Sequence, residues 1–66
     1  MCQLNVRLVF IDKQEERVSE VTHMAVMPGK ITLSSLFAPP RDLIGFQVTE
    51  IDCLRSLVVV EQLAPA

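Results

Sequence analysis

The sequence predicts an all-β fold, a single small β-barrel domain of five to seven strands spanning residues 1–66, that pairs with a second copy as a homodimer. Three observations carry this. Apolar residues recur with a period of two, turn signals at 12–16, 28–29 and 45 cut the chain into short runs, and no stretch carries the i, i+3, i+4 pattern of a useful amphipathic helix. The dimer follows from size. A chain of 66 residues buries only about 60% of its unfolded surface, yet half of these residues are apolar, more than one small core can hide. Small domains are held together by disulfides, a metal or oligomerisation, and two cysteines make no disulfide framework.

Along the first segment, Cys2, Leu4, Val6, Leu8 and Phe10 share one phase, while Gln3, Asn5, Arg7, Val9 and Ile11 share the other. This is a half-buried strand whose far end is apolar on both faces. Asp12-Lys13-Gln14-Glu15-Glu16 reads as an exposed turn. In 17–27, Met24 and Val26 alternate, but Val18 and Val21 lie three apart, which fits a bulge or a short helical turn; a bulge is expected. Pro28-Gly29 presets a tight turn, so its flanks should form a hairpin. The second arm alternates through Ile31 and Leu33 and changes phase at Ser34-Ser35-Leu36-Phe37, as a strand does at a barrel corner.

Ala38-Pro39-Pro40-Arg41-Asp42 is expected to be a loop, because its prolines donate nothing to a ladder. Leu43 and Ile44 should fold back over the core, and Gly45 should release the chain into a strand over 46–51. A turn over 52–56 then leads to Leu57-Val58-Val59-Val60, which has no polar face. Such a strand needs cover on both sides, and in so short a chain the second cover is expected from a partner subunit. Residues 62–66 form a tail.

Charge and composition narrow the function. The formal net charge is −2, and Arg7, Lys13, Arg17, Lys30, Arg41 and Arg55 are spread along the chain, a poor footprint for nucleic acid. The three aromatics are all Phe, each at a position that core packing explains, and Tyr and Trp are absent, so no base-stacking platform is expected. No apolar run is long enough to cross a bilayer as a helix, and a cytoplasmic location is expected. His23 has no nucleophile beside it in sequence, Glu15-Glu16 sits in a charged turn, and neither a phosphate loop nor Cys-x-x-Cys occurs, so the chain is not expected to be an enzyme.

Chemistry concentrates at Met1-Cys2. With Met1 removed, Cys2 would carry an amine of reference pKa about 7.7–8.0 beside a thiol of about 8.5, able to close a chelate ring. With Met1 retained, the Met1 amine, the Cys2 amide nitrogen and the Cys2 sulfur still offer nitrogen and sulfur donors. A flat nitrogen and sulfur set suits Ni(II) or Cu(II), whereas Zn(II) prefers a tetrahedron. The competing reading makes Cys2 a small apolar first residue of the strand.

The chain resembles the CooT family of small nickel-binding proteins, accessory to assembly of nickel carbon monoxide dehydrogenase. The resemblance rests on Met1-Cys2, the alternating first strand, Gly29 with Ile31-x-Leu33-x-x-Leu36-Phe37, Leu43-x-Gly45-x-x-Val48-x-x-Ile51-Asp52, and Val58-x-Val60-Glu61. It implies a dimeric small β-barrel that binds one Ni(II) between the Cys2 termini of two subunits and delivers it to a nickel enzyme client. Two amine–thiolate pairs would supply the four donors of a flat site. The loop after Leu36-Phe37, acidic in the family, is here Ala38-Pro39-Pro40-Arg41, and Cys53 has no counterpart. Cys53 is expected to be a partly buried free thiol, since a bridge to Cys2 would need Cα atoms within about 7 Å. His23 is expected to face outward if Met24 and Val26 face in. Two alternatives remain: a hydrogenase-maturation chaperone of the HypC type, which also begins Met-Cys, and a small RNA-binding barrel module, suggested by shape alone.

Overall fold

The computed structural model describes residues 3–64. Six strands follow one another: β1 (Leu4–Val9), β2 (Glu15–Met27), β3 (Lys30–Ser35), β4 (Arg41–Ile44), β5 (Phe46–Asp52) and β6 (Leu57–Gln62). The described residues contain no helix. The strands form one sheet in the order β4-β3-β2-β1-β6-β5, antiparallel throughout except for the parallel β1–β6 pair. The all-β class and the strand number match the expectation. The sheet is not closed, because its edge strands β4 and β5 do not pair with each other.

The edges nonetheless come from adjacent stretches of chain. Gly45 alone separates β4 from β5, at φ +78°, in the left-handed region where a side chain would be strained. Its N–H donates to Gly29 O (2.9 Å) and its carbonyl accepts from Leu63 N–H (2.7 Å), tying the β2–β3 turn to the end of β6. The sheet is therefore strongly curved, and one face wraps the core.

That core comprises Val6, Leu8, Val21, Ile31, Leu33, Leu43, Phe46, Val58 and Val60, flanked by Leu4, Phe10, Val18, Met24 and Val48. Phe10 and Phe46 meet edge to face with centroids 5.7 Å apart. The sequence alternation explains the set: Val6 lies between Val18 and Val58, and Leu8 between Glu16 and Val60, all on one face.

Curvature comes from bulges. Val18 opposes Val6 but Val21 opposes Leu4, so β2 carries an extra residue, with Glu20 at φ +61°. This is the bulge the Val18/Val21 spacing predicts. A second irregularity sits between Val21 and His23 opposite Ser35 and Ser34, so the phase change read at Ser34-Ser35 is absorbed by β2 at Thr22 rather than by a bend in β3. A third lies at Thr49 in β5. Residues 15–18 of β2 thus pair with β1, while 23–27 pair with β3.

Several expectations change. Glu15 and Glu16 belong to β2 rather than to the turn, because their pairing with Val9 and Leu8 extends the ladder, and Gln62 ends β6 opposite Phe46 rather than opening a tail. Leu43 is buried as expected, but Ile44, its neighbour on the other face of β4, is exposed. Arg41 and Asp42 belong to β4, not to the loop: Pro39 and Pro40 interrupt the ladder, but pairing resumes once residues with an N–H return. Phe37 is 82% exposed in the β3–β4 loop, so core packing does not explain it. Val59, expected to need a partner's cover, is already buried within this chain, on the face opposite the core, with Arg7 and Glu50 as its cross-strand neighbours. Long side chains lying flat over the sheet can cover an apolar residue with their stems. Other apolar side chains do remain open, notably Leu54, Phe37, Ile44 and Ile51.

Candidate functional site

Cys2, the metal ligand expected from sequence, lies outside the described residues. What can be built is the end of the sheet from which β1 starts. Because β1 and β6 run parallel, both begin at this end. Asn5 pairs with Leu57, and Asn5 N–H donates to Ser56 O at 2.8 Å. The β5–β6 turn is thereby placed beside the first residues of β1. Within it, Asp52 Oδ1 accepts the Arg55 N–H (3.2 Å), Ser56 N–H donates to Cys53 O (3.4 Å), and Ser56 adopts φ +51°.

Cys53 is a free, exposed thiol in this turn, more open than the partial burial expected. His23 is exposed on β2, opposite Ser34, while Met24 pairs with buried Leu33, so the outward orientation read from alternation holds. Strands β1 and β6 lie between the strand of His23 and that leading to Cys53, and the fold does not unite these residues. Among the described residues no three His, Cys, Asp or Glu side chains gather as metal ligands, and no helix is long and apolar enough to cross a membrane.

The fold does gather arginines that appear scattered in sequence. Arg7 and Arg17 are direct cross-strand partners on the face away from the core. Arg17, Arg55, Asn5 and Leu57 line a pocket of about 190 Å³ at the same end of the sheet. Arg7 leans on Glu15 (Nε–Oε1 3.6 Å) and Arg55 on Asp52 (Nε–Oδ2 3.7 Å), whereas Arg17 has no carboxylate within 4.0 Å among the described residues. The expected turn over 12–16 would have set position 7 opposite 21; the observed hairpin, centred on Asp12, sets it opposite 17. Arg55 enters only through the parallel β1–β6 pairing, which local sequence does not encode.

A second concavity, about 310 Å³, lies between the first half of β2 and the β3–β4 loop, floored by Val21 and Leu33 and bordered by Ala38 and Pro39. Across its rim Arg41 grips Glu16 with two hydrogen bonds, Nη1–Oε2 at 2.7 Å and Nη2–Oε1 at 3.1 Å. These bonds hold the Glu16 carboxyl below its ordinary pKa against the opposing effect of burial, with the guanidinium charge adding to the same end; Arg41 is raised in turn. Arg41, the first residue of β4, is thus paired within the chain.

No known protein family and no curated protein matches this chain.

Proposed function

We propose that this protein is a nickel-binding accessory protein, a metallochaperone rather than an enzyme, that takes Ni(II) as cargo through Cys2 and passes it to a nickel enzyme such as carbon monoxide dehydrogenase. In this reading two copies form a homodimer in the cytoplasm, each completing a small barrel-like fold, and one ion is shared between their Cys2 thiolates and adjacent backbone nitrogens.

The reading is carried by the division of labour within the CooT-like pattern. Most of its internal positions serve the fold: Gly29 (φ +75°) and Gly45 (φ +78°) make left-handed turns, and Ile31, Leu33, Leu43, Val58 and Val60 are buried. Such positions speak for architecture and not for activity. Among the matched positions Cys2 is the one that carries a thiol, the soft donor that Ni(II) favours. Exposed Leu54, Phe37, Ile44 and Ile51 favour a second copy, since so small a domain gains stability by covering apolar surface.

Native mass spectrometry with added nickel tests the whole reading, reporting N-terminal processing, subunit number and metal per dimer together. One nickel per dimer is expected, with a thiolate-to-nickel absorption band that Cys2→Ser abolishes. Binding should weaken below about pH 7, because thiol and amine must lose their protons to coordinate. Full nickel binding by Cys2→Ser would end this assignment.

A further inference from the structure

We infer that the pocket between Arg17 and Arg55 is an anion site that takes a single small oxyanion, a carboxylate or a phosphate. This inference is independent of nickel and of Cys2.

Its first support is the electrostatic conflict on this face. Arg7 and Arg17 stand directly opposite each other on antiparallel strands, an arrangement that costs stability unless something negative is near. The chain answers only in part. Glu15 reaches Arg7 at 3.6 Å, and the Arg7 Nε is shielded from solvent yet makes no hydrogen bond. Glu50 sits across Val59 from Arg7, one strand further away, and forms no ion pair within 4.0 Å among the described residues. Among the described residues no carboxylate lies within 4.0 Å of Arg17. Its guanidinium is therefore free of these residues' carboxylates to meet an anion.

The second support is shape. Arg17 and Arg55 approach the pocket from β2 and from the β5–β6 turn, on either side of Asn5 and Leu57. A guanidinium presents a planar fork that matches the two oxygens of a carboxylate or phosphate, and the Asn5 amide adds a donor. Leu57 provides an apolar wall for the carbon stem of a carboxylate. At about 190 Å³ the pocket exceeds several times the roughly 30 Å³ of one water and remains small enough for one such group. The Asp52 contact to Arg55 is long, at 3.7 Å, and that side chain is 80% exposed, so it is available to turn toward a ligand.

The test is titration of the full-length protein with inorganic phosphate and, separately, with N-acetylglutamate, following the Arg Nε–Hε and Asn side-chain amide resonances by NMR. Saturable shifts at Arg17, Arg55 and Asn5 are expected with at least one of the two ligands. Phosphate binding the tighter would identify a free oxyanion as the natural ligand, and N-acetylglutamate the tighter a protein or peptide carboxylate; either supports the site. Arg17→Gln and Arg55→Gln should each weaken binding by about tenfold, the loss expected for a charge-assisted hydrogen bond. Arg17→Lys, which keeps charge but loses the fork, should fall between. Lys30→Gln, a cation on β3, should bind as the parent does, and so should Cys2→Ser. Linear, unsaturated shifts with both ligands, or an equal loss in Lys30→Gln, would overturn the proposal.

Discussion

Replacing Leu8 by Ala should remove a large share of this protein's stability, while replacing Leu54 by Ala should remove almost none, although both delete the same atoms. Leu8 is wholly buried on β1, between Val60 on β6 and Glu16 on β2, and Leu54 is wholly exposed at the tip of the β5–β6 turn. Truncating a buried leucine forfeits about 2–3 kcal/mol of transfer free energy, at roughly 0.8 kcal/mol for each methylene-sized group. The cavity left behind adds to this, for a total of about 3–4 kcal/mol within the measured range of such changes. A domain of this length has roughly 3–10 kcal/mol in all, at about 0.05–0.15 kcal/mol per residue. Leu8→Ala should therefore lower Tm by more than about 12 °C, or leave the chain unfolded, whereas Leu54→Ala should stay within about 0.5 kcal/mol of the parent. With neither Trp nor Tyr in the chain, urea unfolding is best followed by far-UV circular dichroism, at matched protein concentrations because association shifts the midpoint. A Leu8→Ala variant within 1 kcal/mol of the parent would refute the placement of the core.

Two further outcomes follow from the backbone and from the rim of the groove. Glu20, at φ +61° in the β2 bulge, holds a conformation that costs a non-glycine residue about 1–2 kcal/mol, of which glycine's extra unfolded freedom offsets about 0.5–1; Glu20→Gly should raise Tm by a few degrees, and a fall would show that its side chain contributes more than the turn costs. The lowered pKa of Glu16 means that its ionised, Arg41-bound form favours the folded state above the unfolded pKa of about 4.3, and this contribution is lost as pH falls through the lower folded value. Both side chains are nearly half exposed, so solvent screening limits the effect to a few tenths of a kcal/mol. Glu16→Gln should lower stability by those few tenths of a kcal/mol above about pH 6 and flatten the profile below about pH 5, as read from urea midpoints.

Local pattern carried the strands, and long-range pairing carried what local pattern missed. The alternation of Val6 with Leu8, the Pro28-Gly29 turn and the release at Gly45 each depend on residues close in sequence, and each is found. The Val18/Val21 spacing fitted either a bulge or a short helical turn, and the extra residue in β2 shows the bulge that was expected. Val59 was not legible. Its burial depends on the strands beside β6, of which the parallel partner β1 lies some fifty residues away and contributes Arg7 as an opposite neighbour. Phe37 failed for a related reason: an aromatic residue near an alternating strand looks like core, but β3 ends at Ser35 and the following prolines turn the chain away.

Parallel pairing of the first and last strands has a further consequence for chemistry. Two parallel neighbours must start at the same end, so the first residues of β1 and the turn that leads into β6 share one end of the sheet whatever their separation in sequence. The same constraint brings Arg55 to Arg17, which a hairpin had already set beside Arg7. Scattered cations in the sequence thus say little about the electrostatic field of a small curved sheet, because its register decides which charges meet. Here it places Arg7, Arg17 and Arg55 near one end of the sheet in a chain whose formal net charge is −2, and the Arg17–Arg55 pocket is where a negatively charged group would be drawn.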